Sequence, residues 1–425
     1  MKTAIRPEIK PPTRLFSNME ISSDGIHHQP GSVLGSTALI AGTTVGAGIL
    51  ALPAVTLPSG IIPSTVLLIL VWLYTLISGL LIAEVTLNGM QQGQISNGLL
   101  AMAESTLGKI AAKFAGGAYL FLHYTLLVAY ITQGGDILRS LFAKFLGVPV
   151  NLPIWVGTTA FALLFGGIMY FGRDKLVEKI NSAFVAVLLT SFAGLLFLAS
   201  GQVKISQFAF QNWTALPPAI SVMLVALFYH NVIPVIATQL EGDVKKVRQS
   251  IVIGSGIPLL MFLAWNTVIL GSISPELVQE FAVEGKIFDP LQILGSGGAG
   301  EWLGVLVLVF SEFALATSFI GFVYGLLDFF RDVFNPTSPR LSLFTLILLP
   351  PMGLSILNPS IFFTALDYAG SFSTSVLGGI IPALMAWKQR QQNSNTTHQR
   401  LVPGGNLILF IIFALAIILI VKELL

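Results

Sequence analysis

Two ionisable side chains lie deep inside long apolar stretches. Glu312 is near the centre of a run over about 302–328, and His230 is near the centre of one over about 216–240. An ionisable group at such depth is costly, and where it persists it usually marks an ion path, a proton relay or a ligand. Glu312 could take up and release a proton. The imidazole of His230 could do the same, since its ordinary pKa is about 6.5. Each also has a plainer reading, as a carboxylate bonded to a distorted helix or paired with Lys or Arg, or as a structural histidine. Thr317 and Ser318 follow Glu312 by five and six residues. At 100° per residue they point well away from it.

Further chemistry belongs to the backbone. Gly42-Thr43-Thr44-Val45-Gly46-Ala47-Gly48 occupies the middle of an apolar run from about Val33 to Leu57. Each Gly weakens a helix interior by about 1 kcal/mol relative to Ala, and β-branched Thr adds stiffness. A break here would expose peptide groups that lipid cannot satisfy, so they must face protein or a wet cavity. Secondary transporters build substrate and ion sites from such discontinuous midplane helices. Gly42 and Gly46 also make a GxxxG pair, whose simpler use is close helix packing. A second candidate break is Phe228-Tyr229-His230-Asn231-Val232-Ile233-Pro234. Pro234 has no N–H, so the His230 carbonyl is expected to lose its helical partner, and Ile233 is pushed away from helical angles.

The elements that must position these residues are membrane helices. The chain is 54% apolar and 10% charged, where soluble domains carry about 25% charge. Its net charge of +2 gives no argument for nucleic acid. With no cysteine it has no disulfide, cysteine metal site or cysteine nucleophile. The five histidines include no HExxH spacing, and the Gly-rich stretch lacks the Walker lysine, so neither a zinc hydrolase nor an ATPase is supported. Residues 1–32 are polar and Pro-rich, lack the apolar core of a signal peptide, and read as a disordered cytoplasmic tail.

Eleven spans follow, at about 33–57, 63–88, 112–137, 152–170, 176–199, 216–240, 250–272, 302–328, 341–357, 360–387 and 405–423. An amphipathic patch, Ser96–Leu107, is expected at the interface, Pro275–Gly300 forms a longer loop, and Lys388–Gly405 a mobile connection. With the N-terminus inside, 17 of the 22 Lys and Arg fall on the inner side. The positive-inside rule therefore puts the N-terminus in the cytoplasm and the C-terminus outside. Five spans precede the sixth, so helix 6 enters from the side opposite to helix 1. Repeat 1 (33–199) and repeat 2 (216–387) would then be inverted, with helix 11 (405–423) as an addition. The fold class is an all-α membrane protein, a single transporter domain over 33–425.

Gly42–Leu50 (GTTVGAGIL), Glu241–Ile251 (EGDVKKVRQSI), Ser311–Gly321 (SEFALATSFIG) and Gly325–Asp332 (GLLDFFRD) resemble the aromatic amino acid permeases. These are tyrosine- and tryptophan-specific bacterial transporters of the amino acid/polyamine/organocation superfamily. The resemblance covers nearly all of the chain after the tail. It implies two inverted five-helix repeats and import of an amino acid with a cation, usually the proton, in the bacterial cytoplasmic membrane. Helix 6 reads FYHNVIP, bulkier at Tyr229 and Asn231 than the family pattern. In sodium-coupled relatives of the implied fold, a hydroxyl pair on helix 8 faces the helix 1 break, and Thr317 and Ser318 resemble that pair.

An amino acid offers a carboxylate, an ammonium and a side chain. The N–H groups of a half-helix start suit the carboxylate, and unwound carbonyls suit the ammonium. Substrate contacts are therefore expected from Thr43, Thr44, Gly46 and Gly48, and from Phe228, Tyr229, His230 and Asn231. On helix 3, Tyr119, His123, Tyr130 and Gln133 form a polar-aromatic stripe that could stack on a substrate ring or pack helices together. Glu312, Thr317, Ser318 and His230 are the ion-coupling candidates. No cofactor or metal is expected beyond the transported cation, H+ or Na+. The expected partners are the amino acid and the surrounding lipid; oligomeric state is not encoded legibly. Glu84 and Glu241 lie near cytoplasmic helix ends, where they could pair with basic loop residues as an inner gate. A leading reading of cation-coupled aromatic amino acid import stands beside two others, import of a different hydrophobic amino acid and a non-transporting sensor. No soluble signalling domain favours the sensor.

Overall fold

The computed structural model describes residues 15, 17–22, 25–28, 30–46, 48–93, 98–146, 152–201, 203–272, 301–334, 339–392 and 400–425. Among the described residues it is a bundle of eleven apolar spans, counting helix 1 as one span bent by 52° at its centre. Helix 1 comprises Val33–Thr44 (1a) and Gly48–Thr56 (1b). Helix 2 is Ile61–Gln91, helix 3 Lys109–Leu146, helix 4 Ile154–Phe171 and helix 5 Asp174–Ser200. Helix 6 comprises Pro217–Ala226 (6a) and Ile233–Gln239 (6b), joined by a 3-10 turn at His230–Val232. Helix 7 is Val244–Ser272, helix 8 Glu301–Val333 and helix 9 Arg340–Leu357. Helix 10 runs from Phe362 to Gln392, and helix 11 is Gly405–Leu424. The expected interfacial patch is a short helix, Leu99–Leu107. Pro275–Gly300 and the centre of the Lys388–Gly405 connection lie outside the described residues.

The tail is not wholly irregular. Met19–Ser22 (β1) and Gly25–His28 (β2) pair as an antiparallel hairpin, against the expectation of disorder over 1–32. Its flanks hold the end of helix 6b. Leu15 N–H donates to the Glu241 carbonyl (2.8 Å) and Gly31 N–H to the Gln239 carbonyl (3.0 Å). Asn18 donates its N–H to the Glu241 carboxylate at 2.7 Å, and His28 Nε2 lies 2.6 Å from the same oxygen.

Packing follows the pattern of small and polar residues. Helix 8 lies along helices 3 and 5, helix 3 along helix 4, and helix 1a along helix 7. Helix 1b is fixed by an amide, because Asn266 of helix 7 accepts from Thr56 (2.7 Å) and donates to Ser64 of helix 2 (3.0 Å). Large apolar side chains such as Leu163, Phe197, Leu407 and Phe410 stay on the outer surface, where lipid tails replace water as solvent.

Candidate substrate and ion site at the helix breaks

Helix 1a ends when Val45 leaves helical angles (φ −78°, ψ 100°), and 1b restarts at Gly48. Helix 6a ends at Leu227 (φ −101°, ψ 17°), and Tyr229 (φ −137°, ψ 11°) precedes the 3-10 turn. The second break thus comes one turn before the proline that suggested it. Pro234 falls in the first turn of 6b, where its missing N–H would have had no partner anyway. The His230 carbonyl, expected to be orphaned, accepts instead from the Ile233 N–H.

The two breaks lie against each other. A Cβ built on Gly48 would be only 2.6 Å from Ala226 Cα, so the start of 1b touches the end of 6a backbone to backbone. A Cβ on Gly46 would overlap Ser318 Oγ, which brings helix 8 to the same point. Helix 1b therefore begins at the crossing of helices 1, 6 and 8, where the Ile49 N–H bonds the Gly46 carbonyl (3.1 Å) and the positive end of the helix dipole lies. Gly42 and Thr43 are exposed beside it, and Gly321 of helix 8 has open space about it.

The predicted residues divide into groups. Thr43 Oγ1 donates to the Leu39 and Ile40 carbonyls (2.9 and 3.0 Å), and Thr44 Oγ1 to Ile40 (2.7 Å). Their protons are thus engaged, and what they can offer is oxygen lone pairs, suited to an ammonium or a metal cation rather than a carboxylate. Thr317 is engaged in the same way, with the Phe313 and Ala314 carbonyls (2.9 and 3.1 Å). Of the helix 8 pair, the Ser318 hydroxyl lies against Gly46 at the helix 1 break. Glu312 is buried with neither carboxyl oxygen engaged, and the preceding Ser311 hydroxyl is likewise without a partner.

On helix 6, Phe228 and His230 stack (4.9 Å between centroids, 17° between planes). Both His230 nitrogens and Asn231 Oδ1 lack partners. Tyr229 turns the other way, its hydroxyl donating to the Thr75 carbonyl of helix 2 (3.3 Å).

Tyr119 and His123 are brought together, but two turns along helix 8 from Ser318. Tyr119 donates to the Gly325 carbonyl (3.3 Å), and His123 Nδ1 bonds the Tyr119 carbonyl (2.8 Å). Their rings pack on Phe329 and Phe322. Of the helix 3 stripe, Tyr130 is the member at the crossing, and Gln133 is half-buried beyond it.

Sequence reasoning missed helix 10. Its centre unwinds into π-helical turns at Ala369–Thr374 and Val376–Ile380, a distortion common at functional sites. Gly370 lies on the Ser221 backbone of 6a, and Gly378 faces Phe228 and His230. Ser78 of helix 2 donates to the Gly378 carbonyl, and Ser371 pairs with Ser221 (2.7 Å). The signal was present in AGSFSTSVLGG, a run of small and hydroxylated residues in the middle of a span.

The two carboxylates near helix ends are partnered. Glu84 is buried and accepts from Arg390 Nε and Nη2 of helix 10 (2.7 and 2.9 Å) and from the Leu401 N–H (3.0 Å). Glu241 is the anchor of the tail. Among the described residues, no three His, Asp or Glu gather as a metal site would require.

Residues 29–423 match the tryptophan/tyrosine permease family. The chain is 31% identical to tyrosine-specific transport system 1 of Haemophilus influenzae, over 91% of this chain and 95% of that one. It is 28% identical to the tryptophan-specific transport protein of the same organism, over 94% and 97%. It is also 24% identical to glutamine transporter 2 of Aliivibrio fischeri, over 92% and 99%. A match running nearly end to end, on a bundle of eleven apolar spans, places this multi-pass membrane protein among transport permeases rather than enzymes: the chain belongs to the tryptophan/tyrosine permease family.

Proposed function

We propose that the chain is a secondary active transporter that imports aromatic amino acids, tyrosine or tryptophan, by symport with a proton through alternating access. The observation that carries this reading is the crossing of the two helix breaks, where Gly48 meets Ala226. The substrate carboxylate meets the N–H groups at the start of 1b. The ammonium meets carbonyls of the unwound turns and the oxygens of Thr43 and Thr44. Phe228 supplies a ring face for the side chain, and Gly46 lets the Ser318 hydroxyl of helix 8 come up to the break. Glu312 carries the proton, since its carboxyl lies within the bundle and is tied to no neighbour. The names of the relatives support tyrosine and tryptophan, while one relative at 24% identity is named for glutamine instead.

A specific observation favours a second reading, sodium as the coupled cation. Ser318 brings a hydroxyl to the helix 1 break, and hard oxygen ligands there suit an alkali ion. The distribution of Lys and Arg supports a cytoplasmic N-terminus and an external C-terminus in a bacterial cytoplasmic membrane.

Purified protein in liposomes decides among these. Uptake of labelled tryptophan, tyrosine and leucine is measured under separate proton and sodium gradients. Accumulation of an aromatic amino acid driven by the proton gradient, and lost from it in Glu312→Gln, is the expected result. No gradient-driven uptake of any of the three overturns the transport reading. Full proton-driven accumulation by Glu312→Gln removes that residue from coupling, and sodium-driven uptake replaces the proton by the second cation.

A further inference from the structure

We infer that the cleft between the end of helix 10 and the start of helix 11 binds one anionic phospholipid, with an acyl chain in the cleft and the headgroup beside Lys388. This site lies apart from the helix breaks and serves whichever solute or cation the chain carries.

Helices 10 and 11 pack together and leave between them a cleft of about 340 Å³. All of its lining comes from these two helices, Leu384 and Trp387 on one wall and Asn406, Phe410 and Phe413 on the other. The outer side is open, with Trp387 46% exposed and Phe410 67% exposed. On a bundle of apolar spans that opening faces lipid. A chain lying in it touches side chains on two flanks instead of one, and dispersion contacts accumulate with each. It is therefore held more firmly than a chain against a convex face.

The cleft has a polar end and an apolar end. Asn406 is the second residue of helix 11, and Trp387 is close to the end of helix 10 at Gln392. Amphipathic rings such as indole sit at headgroup level. Phe413 lies one residue short of two turns beyond Asn406, about 10 Å deeper at 1.5 Å per residue. One leaflet of hydrocarbon is about 15 Å thick. The cleft thus runs from the headgroups through much of one leaflet, in the polar-to-apolar order of a phospholipid.

Charge selects the headgroup. Residues 388–405 contain Lys388, Arg390 and Arg400 and neither Asp nor Glu. Arg390 is neutralised by Glu84 at 2.7 Å. Lys388 follows the lining residue Leu384 by four positions, so it stands on the same face of helix 10, one turn nearer the headgroups. A lysine stem can lie along apolar surface with its ammonium in the polar layer. Arg400 adds charge at the same end, since the next residue, Leu401, donates its N–H to Glu84 (3.0 Å). Basic pockets between spans on the cytoplasmic side favour anionic headgroups, and the loop charges put this end on that side.

The test uses the full chain purified in detergent and exposed to equal amounts of dioleoyl phosphatidylglycerol and dioleoyl phosphatidylcholine. Retained lipid is counted by native mass spectrometry for wild type, Lys388→Gln and Leu384→Trp. Wild type is expected to retain phosphatidylglycerol over phosphatidylcholine by about fivefold or more, the effect of one cation at the membrane surface. Lys388→Gln should lose most of that preference. Leu384→Trp fills the cleft from its wall and should lose retained lipid of both kinds. Equal retention of the two lipids by wild type, or a preference unchanged in Lys388→Gln, overturns the inference. Unchanged retention in Leu384→Trp places the lipid elsewhere and overturns it too, as does a lipid-free dimer, which gives the cleft to a second copy of the chain. If Leu384→Trp does not fold, the preference in wild type and Lys388→Gln decides. No outcome here depends on uptake, so the transport reading is tested separately.

Discussion

Gly46 and Gly48 lie two residues apart, and a methyl group added at either would collide with a neighbour, yet the two substitutions should behave differently. At Gly48 the new Cβ meets backbone, 2.6 Å from Ala226 Cα. Carbon atoms settle at about 3.5–4.0 Å, so helices 1b and 6a must separate by roughly 1 Å. Overpacking of this kind costs about 1–3 kcal/mol, offset by up to about 1 kcal/mol from the better helix propensity of Ala. The bundle should therefore fold, with a thermal midpoint a few degrees lower. Function should suffer far more, because a misplacement of about 1 Å at a chemical site costs on the order of a hundredfold. At Gly46 the obstacle is Ser318 Oγ, the end of a side chain that can rotate. Rotation costs at most the worth of one hydrogen bond, about 1 kcal/mol, or roughly fivefold. The assay is initial uptake in liposomes for Gly46→Ala and Gly48→Ala, with thermal unfolding of each purified variant. Unchanged uptake in Gly48→Ala, or a heavier loss in Gly46→Ala than in Gly48→Ala, refutes the placement of the site at this crossing.

Three further outcomes follow from the ends of the bundle. Glu84→Gln leaves the buried Arg390 guanidinium without its counter-charge and should destabilise the protein by about 3–5 kcal/mol; adding Arg390→Met should restore much of the loss in thermal unfolding. Glu241→Asn keeps a residue that tolerates the positive φ of 57° but replaces the carboxylate that holds Asn18 and His28 by a shorter, neutral amide. Limited proteolysis of the tail should accelerate by about tenfold, and an unchanged rate would dissociate the hairpin from this anchor. The chain has no cysteine, so single cysteines report topology directly. Ser17→Cys should resist an impermeant maleimide in intact cells and Leu425→Cys should react; the reverse pattern overturns the orientation read from the loop charges.

Some of this architecture is a local property of the chain. Apolar length and the position of charges are enough to place eleven spans within a few residues, because the bilayer imposes one length on all of them. The break in helix 1 was legible for the same reason, since Gly42, Gly46 and Gly48 weaken a helix whatever surrounds them. Even Pro234 marked the right span, although it starts helix 6b rather than ending 6a. What each side chain faces was not legible. Tyr229 and His230 are neighbours in sequence, yet one is bonded to helix 2 while the other remains unpartnered beside helix 10. Thr317 and Ser318 looked like a pair, yet the Thr317 hydroxyl bonds within its own helix while Ser318 lies against Gly46 of helix 1. Tyr119 and His123 shared a stripe with Tyr130, but helix 8 meets that stripe at two levels, Gly325 for the first two and Ser318 for the third. The π-wound centre of helix 10 carries no proline to announce it, and its distortion accompanies close packing of Gly370 and Gly378 on helix 6. Hydropathy and helix propensity act within one turn or one span, and so the sequence alone determined the spans and their weak points. Orientation about each helix axis is decided by contacts between residues 300 or more positions apart, as in Ser78 and Gly378 or Glu84 and Arg390, and these exist only once the bundle has closed.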